Sequence, residues 1–411
     1  MKIYLVGGAI RNNLLKLPIK DKDWVVVGSN IKVMLDKNYQ QVGKDFPVFI
    51  HPKTGEEYAL ARIDQKIGLG HKGFRTNCSS KVTLKEDLLR RDITINAIAQ
   101  DSKGNYIDPY NGINDINKRV IKHVSKAFQE DPLRVLRVAR FAAFLSHLGF
   151  YVFHETMIFM KKIVNNGEIK NISIERIWKE TEKALKSKNP EIYFEILYKC
   201  GALSILFPEI YILYNIKHHK QNINIGKMSL FLLSKISKIT NKIDVKFSSF
   251  FYYISKQLYE NKNVEELKYI YSYNLALKIC KRLKIPKKTK KLVICISRFS
   301  GFISNIYKQT SEEIISFFNI IDVWRNPKII KKIVFCIDIY QIKYFSYKKI
   351  YYNPATYLNN LFIISKKINI TKILKLGLKG INIRNEINRL RVNIIEKWRN
   401  DYKKNFLTNV K

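Results

Sequence analysis

The apolar run Ile3-Tyr4-Leu5-Val6 stops at two adjacent glycines, Gly7 and Gly8, and the rest of the chain is organised around that turn. The run reads as a short buried strand. Paired glycines let the backbone pass close to a phosphate where a Cβ would intrude. The apolar spacing from Asn12 to Leu17 predicts one or two helical turns, ended by Pro18. That places the glycines at a helix N-terminus, where free N–H groups attract anions. Asp21 and Asp23 follow, directly ahead of Trp24-Val25-Val26-Val27. Residues i and i+2 of a strand share a face, so both carboxylates are expected to project together beside the glycine turn. Paired hard oxygen donors suit Mg²⁺, which takes one or two carboxylates plus substrate phosphates. Each half also occurs as an ordinary turn or a solvated strand edge; together they point to metal-assisted nucleotidyl transfer.

With Arg11 between them, these residues resemble the GG-x-x-R and D-x-D motifs of the polymerase-β-like nucleotidyltransferase superfamily. The Asp usual after that Arg is Asn12 here, which keeps the acceptor oxygen and loses the charge. A second stretch, Arg90-Arg91-Asp92-Ile93-Thr94-Ile95-Asn96-Ala97, resembles the R-R-D-x-T-I-N-A motif of the same superfamily. The resemblance implies that Arg91 and Asp92 bind the ribose and phosphates of the incoming nucleotide. A third, Glu130-Asp131-Pro132-Leu133-Arg134-Val135-Leu136-Arg137, resembles the E-D-x-x-R motif of the bacterial class of tRNA nucleotidyltransferases, the CCA-adding family.

The residues of that third stretch carry two readings. Asp131-Pro132 is a helix start, with Asp as N-cap and Pro at the first helical position. Arg134, Arg137 and Arg140 then recur every third residue as a slowly winding ridge, which by itself is also a solvated face. As chemistry, a carboxylate only accepts hydrogen bonds and a guanidinium only donates. Cytosine and adenine offer an amino donor beside acceptors, whereas uracil and guanine put a carbonyl oxygen where Asp131 needs a donor. Asp131 and Arg134 could therefore select C and A without a template, a well-made pair being worth roughly 1–3 kcal/mol.

The resemblance implies an α+β head, an antiparallel-type sheet with helices, over residues 1–125. A helical nucleotide-recognition and neck region would follow over 126–210, then a long all-α body over 211–411. It implies Mg²⁺ held by Asp21 and Asp23 as the catalytic pair. It implies ATP and CTP bound by Gly8, Arg11, Arg91, Asp131, Arg134, Arg137 and Arg140, and tRNA as the acceptor. Transfer of CMP, CMP and AMP to the tRNA 3′ end, its repair, and a second CCA on unstable tRNAs are the implied activities. A poly(A) polymerase of the same superfamily, or a relative that binds RNA without catalysis, are the alternatives.

Composition fits a polyanionic partner. The formal net charge is +40, from Lys+Arg 74 against Asp+Glu 34. Nucleic acid is the first expectation for such a chain and an anionic membrane surface the second. Only 17 of the basic residues are Arg, and nine of those lie before residue 141, among the motifs. Lys replaces Arg poorly where bidentate geometry matters. Five scattered cysteines without a C-x-x-C argue for free thiols in a reducing cytoplasm. No apolar run is long enough to span a membrane, and with the first motif reached at once no signal peptide is expected. A monomer is the expected state.

Other positions stay open between two readings. Glu57 is either a third carboxylate near the metal or a surface strand residue. Gly68-Leu69-Gly70-His71-Lys72-Gly73 is either a hinge or an ordinary loop, and His71 in it is expected to be solvated. Lys287-Lys288-Thr289-Lys290-Lys291 is a solvated face or a phosphate contact. Resemblance thins beyond about residue 210 and returns at Ile321-Asp322-Val323-Trp324-Arg325 and Leu378-Lys379-Gly380. Many bacterial relatives carry an HD phosphohydrolase in the body, whose metal needs several His and an adjacent His-Asp pair. All seven histidines of this chain precede Lys220, and Tyr252-Tyr253-Ile254-Ser255-Lys256 stands where His-Asp-x-Gly-Lys would. A degenerate body without that activity is the expectation.

Overall fold

The computed structural model describes residues 1–42, 47–68, 73–217, 223–253, 265–340, 353–369, 371, 373 and 377–408. The chain divides into two compact units, Met1–Tyr211 and Ile212–Lys411. The boundary expected between residues 125 and 126 lies inside the first unit.

The first unit opens with β1 (Lys2–Val6), α1 (Gly8–Leu14) and β2 (Asp23–Val27), then α2 (Ile31–Asp36), β3 (Gln40–Val42), β4 (Val48–Ile50) and β5 (Glu57–Leu60). Then come β6 (Ile63–Lys66), β7 (Phe74–Asn77), α3 (Leu84–Leu89), β8 (Ala99–Gln100) and β9 (Tyr106–Ile107). Seven strands form one sheet in the order β3-β4-β5-β2-β1-β8-β9. The expected antiparallel pairing has one exception in this sheet: β2 runs parallel to β5. Alternation along β2 sends Val25 to one apolar layer with Val6, Leu88, Ala97 and Ala99. It sends Val26 to the other, with Met34, Phe49, Tyr58 and Leu60. Both faces of the sheet's centre are therefore covered, and register is fixed, because a slip of one residue would exchange the two sets.

Two local expectations change. The first helix begins at Gly8 rather than near Asn12, and it ends at Leu14. Lys16 takes a positive φ of 53°, so the chain has already turned before Pro18. Asn12 ties that turn, its Nδ2 donating to the Pro18 carbonyl at 3.0 Å. Strand β2 begins at Asp23, so Asp21 lies in the preceding loop and the shared-face argument does not apply to it.

The rest of the first unit is mainly helical. It comprises α4 (Gly112–Asn117), a short parallel pair of β10 (Val120–Ile121) and β11 (Tyr151–Val152), and α5 (Leu133–Leu145). Then come α6 (His154–Asn165), α7 (Ile174–Leu185), α8 (Glu191–Lys199), α9 (Ala202–Leu206) and α10 (Pro208–Tyr211). Helix α5 buries Val135, Leu136, Val138, Ala139, Ala142 and Ala143, and α7 buries Ile177, Trp178, Thr181, Ala184 and Leu185. Packing α5 on α7 and α8 leaves the ridge of arginines on the flank of α5.

The described residues of the second unit contain helices and no strands. Asp244 pairs there with Lys332, and Tyr340 donates to the Val245 carbonyl at 2.5 Å. Residues 69–72, with His71, and Ile254, Ser255 and Lys256 lie outside the described residues. The five cysteines are free. No helix of the described residues is long and apolar enough to cross a membrane.

Candidate active site

Register brings the first motif together. Val6, the last residue before the glycines, pairs with Asp23 across β1 and β2, so the turn and the carboxylate are neighbours by hydrogen-bond geometry. Gly7 has a φ of +74°, a conformation that suits glycine, and a Cβ there would stand 3.0 Å from Nη1 of Arg91. Gly7 thus makes room for an arginine. Gly8 has only Arg11 Nη2 near its would-be Cβ, at 3.6 Å.

Asp23 behaves as a carboxylate short of positive charge. Burial raises its pKa above the ordinary range; Arg91 pulls it down and Asp21 pushes it up. Neither Asp21 nor Asp23 is committed to an ion pair with a described residue. Two hard oxygen donors that repel one another fit a divalent cation, which would relieve that repulsion. Glu57 stands opposite Asp23 in the parallel pair. Yet among the described residues no three His, Cys, Asp or Glu side chains are grouped to hold a metal ion. The third-carboxylate reading of Glu57 gains no support from this arrangement.

The cleft beside Asp23 has a volume of about 650 Å³ and is lined by Gly8, Arg11, Asp23, Arg91, Asp131, Arg134 and Arg137 among others, and Asp21 is not part of that lining. Arg11 is nearly buried. Its Nη1 donates to Asn96 Oδ1 at 2.6 Å, and its Nε and Nη2 donate to Asn12 Oδ1 at 3.2 and 2.9 Å. Burial lowers its pKa to about 10, Arg140 and Arg137 add to this, and Asp92 opposes it. Asn12 therefore serves as a neutral acceptor that fixes Arg11. Arg91 Nη2 reaches Asp87 at 3.2 Å and its Nη1 donates to the Asn96 carbonyl at 3.3 Å.

Asp92 is the hub. It is buried and accepts from Arg137 Nε at 2.7 Å and from Asn96 Nδ2 at 3.3 Å. Burial alone would raise its pKa; the charges of Arg137 and Arg134 and the hydrogen bonds overcome this and lower it to about 2. Through Asn96, the same carboxylate is linked to Arg11.

Helix α5 supplies the remaining groups. Asp131 is extended and Pro132 is already helical in conformation. Asp131 Oδ1 accepts from the Leu133 N–H at 3.0 Å, and Arg176 approaches Oδ2 at 3.6 Å. Helix α5 starts at Leu133 with Pro132 at its N-cap, one residue later than expected, so Asp131 stands just ahead of the helix, bonds its first N–H and faces the cleft. Arg134 is oriented by backbone carbonyls, Nη1 to Ala127 at 2.7 Å and Nη2 to Arg90 at 2.5 Å. Arg140 is not part of the cleft lining. Its Nε donates to Glu180 of α7 at 2.5 Å, and its guanidinium lies 4.1 Å from the centre of the Phe141 ring. Arg11 lies over the same ring at 5.1 Å, so Arg140 borders the site from behind.

Two acids of this cluster have no sequence signal of their own. Asp64 and Asp87 hold Arg90 at 3.2 and 2.6 Å. Asp64 also holds Arg62 at 3.3 Å, and Arg62 is a further lining residue of the cleft. Asp87 reads as an ordinary first-turn acid of α3, and only its complete burial shows that it neutralises paired arginines.

Comparison with known proteins places the chain in a family. Residues 3–122 match the family model described as Poly A polymerase head domain, so the class is nucleotidyltransferase. Residues 149–213 match the model described as Probable RNA and SrmB-binding site of polymerase A. A CCA-adding enzyme of Buchnera aphidicola subsp. Baizongia pistaciae is 48% identical over 98% of this chain and 99% of its own. One from Buchnera aphidicola subsp. Cinara cedri is 50% identical, over 95% and 96%. This chain belongs to the family of class II CCA-adding enzymes. The fold is shared with the Bacillus stearothermophilus CCA-adding enzyme solved in complex with CTP, at a TM-score of 0.62 and 19% identity, covering 99% of this chain and 94% of that one. It is shared also with the Thermotoga maritima enzyme complexed with tRNA, at a TM-score of 0.60 and 17% identity, covering 100% and 92%.

Proposed function

We propose that this chain adds C, C and A in turn to the 3′ end of tRNA from CTP and ATP, releasing pyrophosphate, and restores the same end when it is damaged. The observation that carries this reading is the single cleft that gathers Asp23, Gly8, Arg11, Arg91, Asp131, Arg134 and Arg137 from all three sequence motifs. Asp21 and Asp23 are the catalytic pair and would hold Mg²⁺. When bound, the metal supplies Lewis-acid activation of the tRNA 3′-hydroxyl and neutralises the leaving pyrophosphate. The 3′ oxygen bonds to the α-phosphorus, the bond from that phosphorus to the bridging oxygen breaks, and the hydroxyl proton leaves to solvent.

The chain's own groups do the positioning. Gly8 and Arg11 cradle the triphosphate, with Arg11 preset by Asn12 and Asn96. Arg91 holds the sugar-phosphate part. Asp131 and Arg134 read the base edge: Arg134 has N–H groups beyond the two given to the Ala127 and Arg90 carbonyls, and Asp131 has lone pairs beyond those facing Leu133 and Arg176. Arg137 acts beside them through Asp92, and Arg140 completes the set from behind, against Glu180. Such presetting removes reorganisation from the reaction step.

The same reading extends to the body and the cell. We propose a second CCA on unstable tRNAs, a cytoplasmic monomer, and a body without phosphohydrolase activity. Support for the last is the absence of histidine from Lys220 to Lys411 and the commitment of Asp244 to Lys332. The test of the whole reading is incubation of purified protein with tRNA lacking CCA and all four nucleoside triphosphates, followed by sequencing of the 3′ ends. CCA ends are expected; long A tails would make it a poly(A) polymerase, and unextended ends would make it a binding protein only.

A further inference from the structure

We infer that the second unit holds a phosphate-binding site, formed by Arg384 in the first turn of the helix Ile381–Thr408 and Arg391 two turns further along it, and floored by Trp324. The cavity has a volume of about 440 Å³ and includes all three residues and Gly380 in its lining. Arg391 is only 8% exposed, and its buried Nε–H meets no acceptor among the described residues. Its guanidinium carbon lies 3.3 Å from the centre of the Trp324 ring. Burial lowers its pKa to about 10, and no anion among the described residues offsets this. A buried cation without a counter-ion is costly, and stacking on an indole face returns only part of that cost.

The surroundings point the same way. The acids nearest in sequence are already taken: Asp322 accepts from Arg325 Nε at 3.0 Å, and Glu386 accepts from Arg389 at 2.8 and 2.7 Å. The first turn of the helix Ile381–Thr408 contains no acid. It contains the exposed Arg384, a charge that the helix dipole disfavours there unless an anion sits between them. The floor is rigid. Trp324 Nε1 donates to Asn319 at 2.7 Å, Asn319 donates to Asn388 at 3.3 Å, and the indole packs on Phe318 and Phe362. Asp322, at a φ of 56°, turns the chain after the helix Ser311–Ile320. An aromatic floor with two guanidinium groups is a receptor for a phosphate.

That phosphate has two sources, the backbone of an RNA or a free phosphate compound. The RNA source rests on the proposed reaction, which CCA addition by the wild-type protein tests separately. The site is tested on the full chain with two probes: sodium phosphate at constant ionic strength, read by the fluorescence difference between wild type and W324F, and tRNA lacking CCA, read by its Kd against salt. Saturable phosphate binding is expected in wild type, lost in R391M, and weakened several-fold in R384Q. R391K, which keeps the charge and loses the fork, should fall between. If RNA is the source, R391M also lowers the log–log salt slope by roughly 0.7–0.9, one phosphate contact. Phosphate binding with an unchanged slope assigns the site to a free phosphate compound. No saturable binding together with an unchanged slope in R384Q and R391M overturns the inference. Should R391M not fold, R384Q decides, because its side chain is exposed.

Discussion

Replacing Asp92 by Asn keeps the shape of the hub and removes its charge. The wild-type carboxyl sits at about 2 instead of the ordinary 3.8. At about 1.4 kcal/mol per pKa unit, that contributes about 2 kcal/mol to stability near neutral pH. Asp92 is 6% exposed, so solvent screening removes little of it. The sign follows from the lowered folded-state value. The contribution is complete above the unfolded-state pKa and disappears as pH falls through the folded-state one, between about pH 4 and pH 2. D92N should therefore lie about 2 kcal/mol below wild type near pH 7, with the gap shrinking by more than half by about pH 2. Urea unfolding of the full chain, with pulse proteolysis scoring survival of the first unit, measures both. A gap that is absent near neutral pH, or that stays constant down to about pH 2, would refute the hub. D92N should also lower kcat/KM for CTP and ATP, because Arg137 and Asn96, and Arg11 through Asn96, lose their common anchor.

Four further outcomes are expected. D21A and D23A should abolish nucleotide transfer while tRNA Kd stays within a few-fold, and Mg²⁺ should raise the unfolding midpoint of wild type but not of D23N; near-normal transfer in either alanine variant would remove the metal assignment. D131A should admit U or G into the added end more than it weakens tRNA binding, and 3′-end sequencing that still finds only C and A would leave Asp131 as a helix cap alone. R140M should destabilise the first unit by about 3 kcal/mol by stranding the buried Glu180, with R140M/E180L recovering most of the loss; additive losses in the double variant would contradict a paired role. Purified protein should not release phosphate from pyrophosphate or 2′-phosphates, nor open 2′,3′-cyclic nucleotides, with Ni²⁺ or Mg²⁺; turnover that survives in the D21A/D23A double variant would show a working body site.

The sequence by itself determined what depends on neighbours along the chain. Gly7 and Gly8 mark a strand-to-helix turn because only local backbone freedom is involved, and Asp131-Pro132 marks a helix start because capping acts over two or three residues. The three motifs were legible for the same reason: each is a short run whose chemistry is carried by residue type. Tertiary structure decided everything that depends on which runs meet. The Val6–Asp23 register, not a shared strand face with Asp21, carries Asp23 to the glycine turn. Helix α1 starts at Gly8 although its apolar spacing reads later, because tertiary burial of Ala9 and Ile10 outweighs glycine's poor helix propensity. Glu180 is an unremarked acid on an amphipathic helix until packing of α7 on α5 buries it against Arg140. Asp87 and Asn96 likewise acquire their roles only when Arg91, Arg90 and Arg11 arrive from elsewhere in the chain. A side chain's partner across tens of residues is chosen by packing and desolvation, and neither leaves a local trace.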